Sequence, residues 1–342
     1  MRHRPGCRPG RSPTRDPVRP VDGFTGSFFC LPRIGRMSSS AVAPLPIPVA
    51  PRLWPGLAFA LIGSVAFSGK AIIVKLAYRH GVDAITLLML RMLFALPLFV
   101  GLAWWAGRGK PALTRRDRLT VLGLGFSGYY LASFLDFAGL AYISASLERL
   151  ILYLNPTLVL LLGLVLLRRP IGARQLIALA VSYAGVLAVF GQELKLQGDH
   201  VMLGTALVFG SAVSYAVYLL YSGEEVKRLG ALRLTGLATT VACLLCIGQF
   251  VLLRPLGSLA AVAPEVLWLS LLNATACTFA PVILVMLGIE RLGAALAAQC
   301  GLVGPMSTIL MGIVILGEPF TPWLAVGTLL VFTGVWLLAR WR

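Results

Sequence analysis

The chain has 342 residues, 58% of them hydrophobic and only 13% charged, with a formal net charge of +17 and a mean hydropathy of +0.86. A water-soluble fold of this size cannot hide that much apolar surface, so lipid must be part of its solvent. The positive charge excludes little by itself, but it is not a nucleic-acid footprint: Lys and Arg sit in a tail and in short breaks between apolar runs, the pattern of membrane anchoring.

Residues 1–50 are rich in Arg and Pro and then in Ser, Ala and Pro, and are predicted to form a disordered tail. The apolar patch from Phe28 to Leu31 is too short for the core of a signal peptide, and Met37 is a second candidate start. From Leu53 onward the apolar runs predict ten helices, over about 53–78, 84–106, 118–141, 144–167, 173–191, 200–222, 232–253, 265–288, 292–316 and 321–340. The runs are continuous rather than alternating, which argues against a β-barrel. Cys243 and Cys246 form a C-x-x-C inside an apolar run, where thiols act as fillers, and no His or Cys spacing suits a metal. No cofactor is expected.

Loop charge sets the expected orientation. With the N-terminus inside, the inner loops and C-terminus hold fourteen Lys and Arg residues, among them Arg115, Arg116, Arg168, Arg169, Lys227 and Arg228. The outer loops hold three, Arg79, Lys195 and Arg254. Trp54, Trp104, Trp105 and Trp341 fall at inner ends and Trp268 and Trp323 at outer ones, the level indole prefers. Both termini are therefore expected in the cytoplasm, with the chain in the cytoplasmic membrane.

The stretch from Ala145 to Phe190 returns from Ala294 to Ala339 at an offset of 149 positions, without a gap. Pro156 falls on Pro305, Gly163 on Gly312, Pro170 on Pro319 and Gly185 on Gly334. Prolines and glycines carry this signal, because each fixes backbone geometry where leucine and valine do not. Five predicted helices precede the second copy, and five is odd, so the two halves enter the bilayer from opposite sides. The expected fold is an all-α membrane protein of ten transmembrane helices in two inverted five-helix repeats, residues 53–191 and 200–340.

At these residues the chain resembles the drug/metabolite transporter superfamily, in particular EamA-type permeases and exporters. The matching features are the two halves, Arg91 within the second helix, Asn155-Pro156 and Gly304-Pro305 in the fourth and ninth, and Gly317-Glu318-Pro319 at the turn after the ninth. In the family that turn is a small residue followed by Glu. The first half departs from it, with Arg169 where the Glu belongs. The resemblance implies transport of a small metabolite, often export, and leaves substrate open.

Several ionisable groups sit inside apolar helices: Lys70, Lys75, Arg91, Asp136, Glu148 and Arg149. Charge in hydrocarbon costs several kcal/mol unless paired or wetted. At ~1.5 Å per residue Lys70 and Arg91 lie about 10–12 Å from the outer helix ends, and Asp136 and Glu148 about 6–8 Å. In one reading these groups line an aqueous cavity that binds or gates substrate. In the other, Arg91–Asp136 and Lys70–Glu148 are structural ion pairs, and Lys75 and Arg149 reach outward to the interface. Helix periodicity adds polar stripes: Tyr129, Ser133 and Asp136; Glu148 and Asn155; Ser64 and Ser68; Ser211, Ser214, Tyr215 and Tyr218. Hydroxyls in such stripes also bond to helix carbonyls. Pro156 and Pro305 are candidate hinges near mid-membrane, and Gln299 is a candidate substrate contact.

The expected function is alternating-access transport of a small polar, amino acid-like or drug-like molecule. If Asp136 or Glu148 titrates, transport is proton-coupled; if both are locked in ion pairs, it is facilitated diffusion or exchange. A nucleotide-sugar or phosphorylated-metabolite exchanger is the alternative suggested by the intramembrane cations. Neither an H-E-x-x-H motif nor a phosphate-binding G-x-x-x-x-G-K-[ST] loop is present, which argues against an intramembrane enzyme and ATP-driven transport. A membrane scaffold or sensor is a remote alternative. Expected partners are the substrate and the lipid bilayer, not nucleic acid, with the protein a monomer or homodimer.

Overall fold

The computed structural model describes residues 53–168, 170–197, 200–292, 300–301 and 303–340. The tail with Met37, Arg169 and Gln299 lie outside the described residues. Among the described residues the chain is helical throughout, without strands. The helices are α1 (Leu53–Tyr78), α2 (Ala84–Gly107), α3 (Arg115–Leu140), α4 (Ala145–Leu152), α5 (Asn155–Leu167), α6 (Ala173–Gln197), α7 (His200–Leu229), α8 (Ala231–Leu253), α9 (Pro264–Leu292), α10 (Val303–Leu316) and α11 (Pro322–Arg340). Eight of them are long and apolar enough to cross a membrane, or nine spans if α4 and α5 count as one.

Local chemistry sets the ends. Asp83 caps α2, accepting from the N–H groups of Ile85 and Thr86. Burial pushes its carboxyl up, but bonds from Thr86 and Arg254 outweigh that and hold it below the usual Asp range. Thr114 and Asp117 form a capping box, so α3 starts at Arg115 rather than near 118 as the apolar pattern suggested. The Ser144 hydroxyl caps α4. The sixth predicted helix runs on to Leu229 and the fifth to Gln197, because charged residues that read as loop continue the helix, Glu193 buried against Ser144 and Lys227 and Arg228 exposed in the final turn.

Three helices contain π-helical turns, Gly125–Leu131 in α3, Thr275–Phe279 in α9 and Gly312–Leu316 in α10. The predicted fourth helix is broken: α4 ends at Leu152, α5 starts at Asn155, and the two are bent by 40°. Pro156 has no N–H to continue the ladder and sits in the first turn of α5. Pro305 likewise lies in the first turn of α10. Arg168 ends α5 with φ +52°, and Gly317 ends α10 with φ +73°. These two positions correspond at the 149-residue offset, so both copies close on the same left-handed turn, one with glycine and one with an arginine that pays its strain.

The packed pairs are α6 with α11, α2 with α8, α1 with α9 and α3 with α7; α3 also meets α8, α9 meets α2, α4 and α5 meet α7, α10 meets α1, and α4 meets α10. Small residues bring backbones together, as in other membrane bundles. A Cβ on Gly185 of α6 would lie 2.6 Å from the Gly327 carbonyl oxygen of α11, and one on Gly327 equally close to that of Gly185.

Candidate functional site

The centre of the molecule is polar. Lys70 on α1 places its Nζ 2.5 Å from Asp136 Oδ2 on α3 and 3.5 Å from Glu148 Oε1 on α4. All three are buried, Glu148 completely. Asp136 Oδ1 and both Glu148 oxygens have no hydrogen-bond partner. One lysine thus holds two carboxylates from two other helices. Lys70 and Glu148 meet as expected, but Asp136 pairs with Lys70 and not with Arg91 as the second reading had it.

Arg149 does not reach outward as the second reading had it. It is buried, its Nε donates to Thr308 Oγ1 on α10 at 2.9 Å, and its Nη2 lies 3.5 Å from the carbonyl oxygens of Phe67 and Ser68. The Ser68 hydroxyl donates in turn to the Gly304 carbonyl at 2.7 Å. Glu148 and Arg149 are neighbours in sequence, yet they address different helices, because successive residues of a helix point about 100° apart.

Arg91 is also buried. Its Nε donates to Thr278 Oγ1 at 3.1 Å, its guanidinium lies 5.1 Å above the Phe137 ring, and its Nη1 is unpartnered. Thr278, inside the π-helical turn of α9, passes the contact to the Asn273 carbonyl at 2.8 Å. The Asn273 side-chain amide is buried with neither polar atom bonded. Among the described residues neither Arg91 nor Arg149 forms an ion pair, so two buried cations rest on neutral groups.

The other predicted residues divide. Tyr129 and Tyr218 meet with hydroxyls 3.2 Å apart, and Tyr215 stacks on Tyr218 at 5.5 Å. Ser214 and Ser211 donate to the carbonyls of Ser127 and Ala132, each at 2.7 Å, bridging α7 to the stretch of α3 that its π-helical turn loosens. Ser133 is half-buried on α3. Asn155 stands at the α4–α5 break with Oδ1 unpartnered. Lys75 is half-buried, within electrostatic reach of Glu318 and Glu193.

Sequence reasoning missed Asn273, Thr278, Thr308 and Glu193. The first three are uncharged residues in apolar runs and carried no signal above packing polars. Glu193 lay beyond the predicted end of its helix and so read as loop.

The sequence pattern of the EamA-like transporter family matches residues 54–191 and again residues 202–340. The chain belongs to that family. It is a multi-pass membrane protein whose relatives are transporters. An uncharacterized transporter, YcbK of Bacillus subtilis (strain 168), is 32% identical over 268 residues, covering 77% of this chain and 86% of that protein. A second from the same organism, the uncharacterized transporter YetK, is 25% identical over 158 residues, 46% of this chain and 48% of its own. A crystal structure of a protein with 16% identity superimposes with a TM-score of 0.55, covering 84% of this chain and 96% of that one, and supports the helical fold. The buried polar centre therefore lies within a membrane transporter of small substrates.

Proposed function

We propose that this chain is a secondary transporter that exports a small polar metabolite across the cytoplasmic membrane by alternating access around Lys70, Asp136 and Glu148. The observation that carries this reading is the buried lysine between two carboxylates that keep unpartnered oxygens. A purely structural ion pair satisfies its lone pairs. A group that must release and rebind, whether to substrate or proton, is left incomplete. Arg91, Tyr129, Ser133, Asn155, Ser214 and Tyr218 then flank the path, and Pro156 and Pro305 mark the breaks about which it opens.

The same reading takes the chain as ten spans in two inverted halves. If α4 and α5 are span four and α10 is span nine, exchanging each span with the one five places on leaves the set of packed pairs named above unchanged. The pair α1–α9 becomes α7–α3, α2–α9 becomes α8–α3, α10–α1 becomes the broken span four with α7, and α2–α8 and α6–α11 map onto themselves. A half-turn in the membrane plane would produce that pattern.

The test is flux in liposomes under an imposed pH gradient, with substrates taken from the export profile of cells with and without the gene. Asp136→Asn is expected to abolish the pH dependence. An unchanged pH dependence would remove that carboxylate from coupling. A second reading, exchange of phosphorylated or nucleotide-linked metabolites, draws on Arg91 and Arg149, buried without carboxylate partners among the described residues. Loss of transport in Arg91→Ala for anionic substrates alone would favour it.

A further inference from the structure

At the end of the molecule where α10 turns into α11, a loop of the second half is fastened to helices of the first. Glu318 follows the left-handed Gly317, and its Oε1 accepts the Ala145 N–H at 2.6 Å. Its Oε2 accepts the Ser146 N–H at 3.2 Å and the Ser146 hydroxyl at 2.6 Å. One carboxylate thus caps the first turn of α4 from outside that helix, where free N–H groups and the helix dipole favour an anion. Beside it, Glu193 of α6 accepts the Ser144 N–H at 3.2 Å and the Ser144 hydroxyl. Arg79 at the end of α1 donates to the Leu316 carbonyl at 2.8 Å and holds the turn in place. Lys75 of α1 lies within electrostatic reach of both carboxylates.

We propose that Glu318 is a gating residue: its clasp on the N-terminus of α4 shuts the path to Lys70, Asp136 and Glu148 on this side, and it must release in each transport cycle. The proposal rests on the alternating-access reading. Three observations carry it. Glu148 sits on α4 one turn below the clasp, so any tilt of α4 moves a member of the polar centre. The 40° break after Leu152 separates α4 from α5, so α4 is free to tilt without dragging the rest of its span. Finally, Gly312 keeps room for the clasp, since a Cβ there would lie 2.7 Å from Glu318 Oε2.

At the 149-residue offset the sequence has Arg169 for Glu318 and Ala295 for Ser146, so neither the carboxylate nor the hydroxyl is repeated in the other copy. Among the described residues, Gly163, the counterpart of Gly312, has nothing within 4 Å of where its Cβ would be.

The test places one reporter cysteine at buried Ser68, in the full chain with its native cysteines replaced, and reacts it with a membrane-impermeant maleimide from each side of oriented vesicles. A second reporter at exposed Phe320 identifies the face that carries the clasp. Glu318→Gln is nearly isosteric but sets an amide against backbone donors, and should raise labelling from that face by about tenfold, the worth of one charge-assisted bond. Gly312→Ala should do the same without changing a charge, Glu318→Asp should raise it less, and Gly163→Ala should leave it unchanged. If Ser68→Cys reacts from the opposite face while Glu318→Gln and Gly312→Ala leave the clasp face as protected as the parent, the gate is wrong and alternating access survives. If it reacts from neither face in any variant, both fall.

Discussion

Lys70 is the residue on which the buried electrostatics turn. Two carboxylates brought together without a cation repel each other, and each carries several kcal/mol of desolvation. Lys70→Met is therefore expected to lower stability by about 3–5 kcal/mol, read as a marked fall in melting temperature in detergent. Adding Asp136→Asn and Glu148→Gln to that variant should restore much of the stability, because no charge is left buried unpaired. It should not restore transport. Recovery of flux in the triple variant would mean the three groups only hold the helices together. Arg91 and Arg149 pose the converse case, cations resting on Thr278, Thr308, carbonyls and an aromatic face. Arginine tolerates such surroundings better than lysine, since its spread charge is weakly hydrated and its fork suits several acceptors.

At the scale of the element, the helices are interrupted where the polar groups gather. The π-helical turn of α9 contains Thr278, the break between α4 and α5 stands beside Asn155, and the turn of α10 contains Gly312 beneath Glu318. Each interruption frees backbone or re-aims side chains, which within a bilayer is tolerated only against protein or a wet cavity. Elsewhere, as in α6 and α11, regular helices are held by close approach. Gly185→Val is expected to separate α6 from α11 and cost about 1–3 kcal/mol, since a Cβ at Gly185 would lie 2.6 Å from the Gly327 carbonyl oxygen. Gly163→Ala, into open space within a helix, should be neutral or stabilise by about 0.5–1 kcal/mol. Thermal melts of the two in the same detergent check the contrast; equal melting temperatures would show that the α6–α11 contact carries no stability.

For the whole molecule, charge and packing make separate demands. The Lys and Arg bias across the loops favours the face that bears Arg115, Arg116, Lys227 and Arg228 as the cytoplasmic one. Fusing a periplasm-activated phosphatase after the C-terminus or into the Pro255–Ala263 segment tests this: activity is expected only from the second. The reverse outcome would turn the molecule over without altering its internal geometry.

The helices, their membrane character and the internal repeat were legible in the sequence, because long apolar runs and paired prolines and glycines are local signals. So were Lys70, Asp136, Glu148 and Arg91, since a charge in an apolar run stands out wherever it points. Partnership was not legible. Which carboxylate meets Lys70, why Arg149 is buried and how Glu318 reaches Ala145 depend on helices far apart in the chain and on rotation about their axes. Uncharged residues such as Asn273 and Thr308 were invisible for the same reason. The sequence determined that this chain dissolves in lipid and hides a few charges there, because transfer free energy is a property of each residue and adds along the chain. Only the tertiary structure decided how those charges are shared, because an ion pair is a distance between two helices and no single helix contains it.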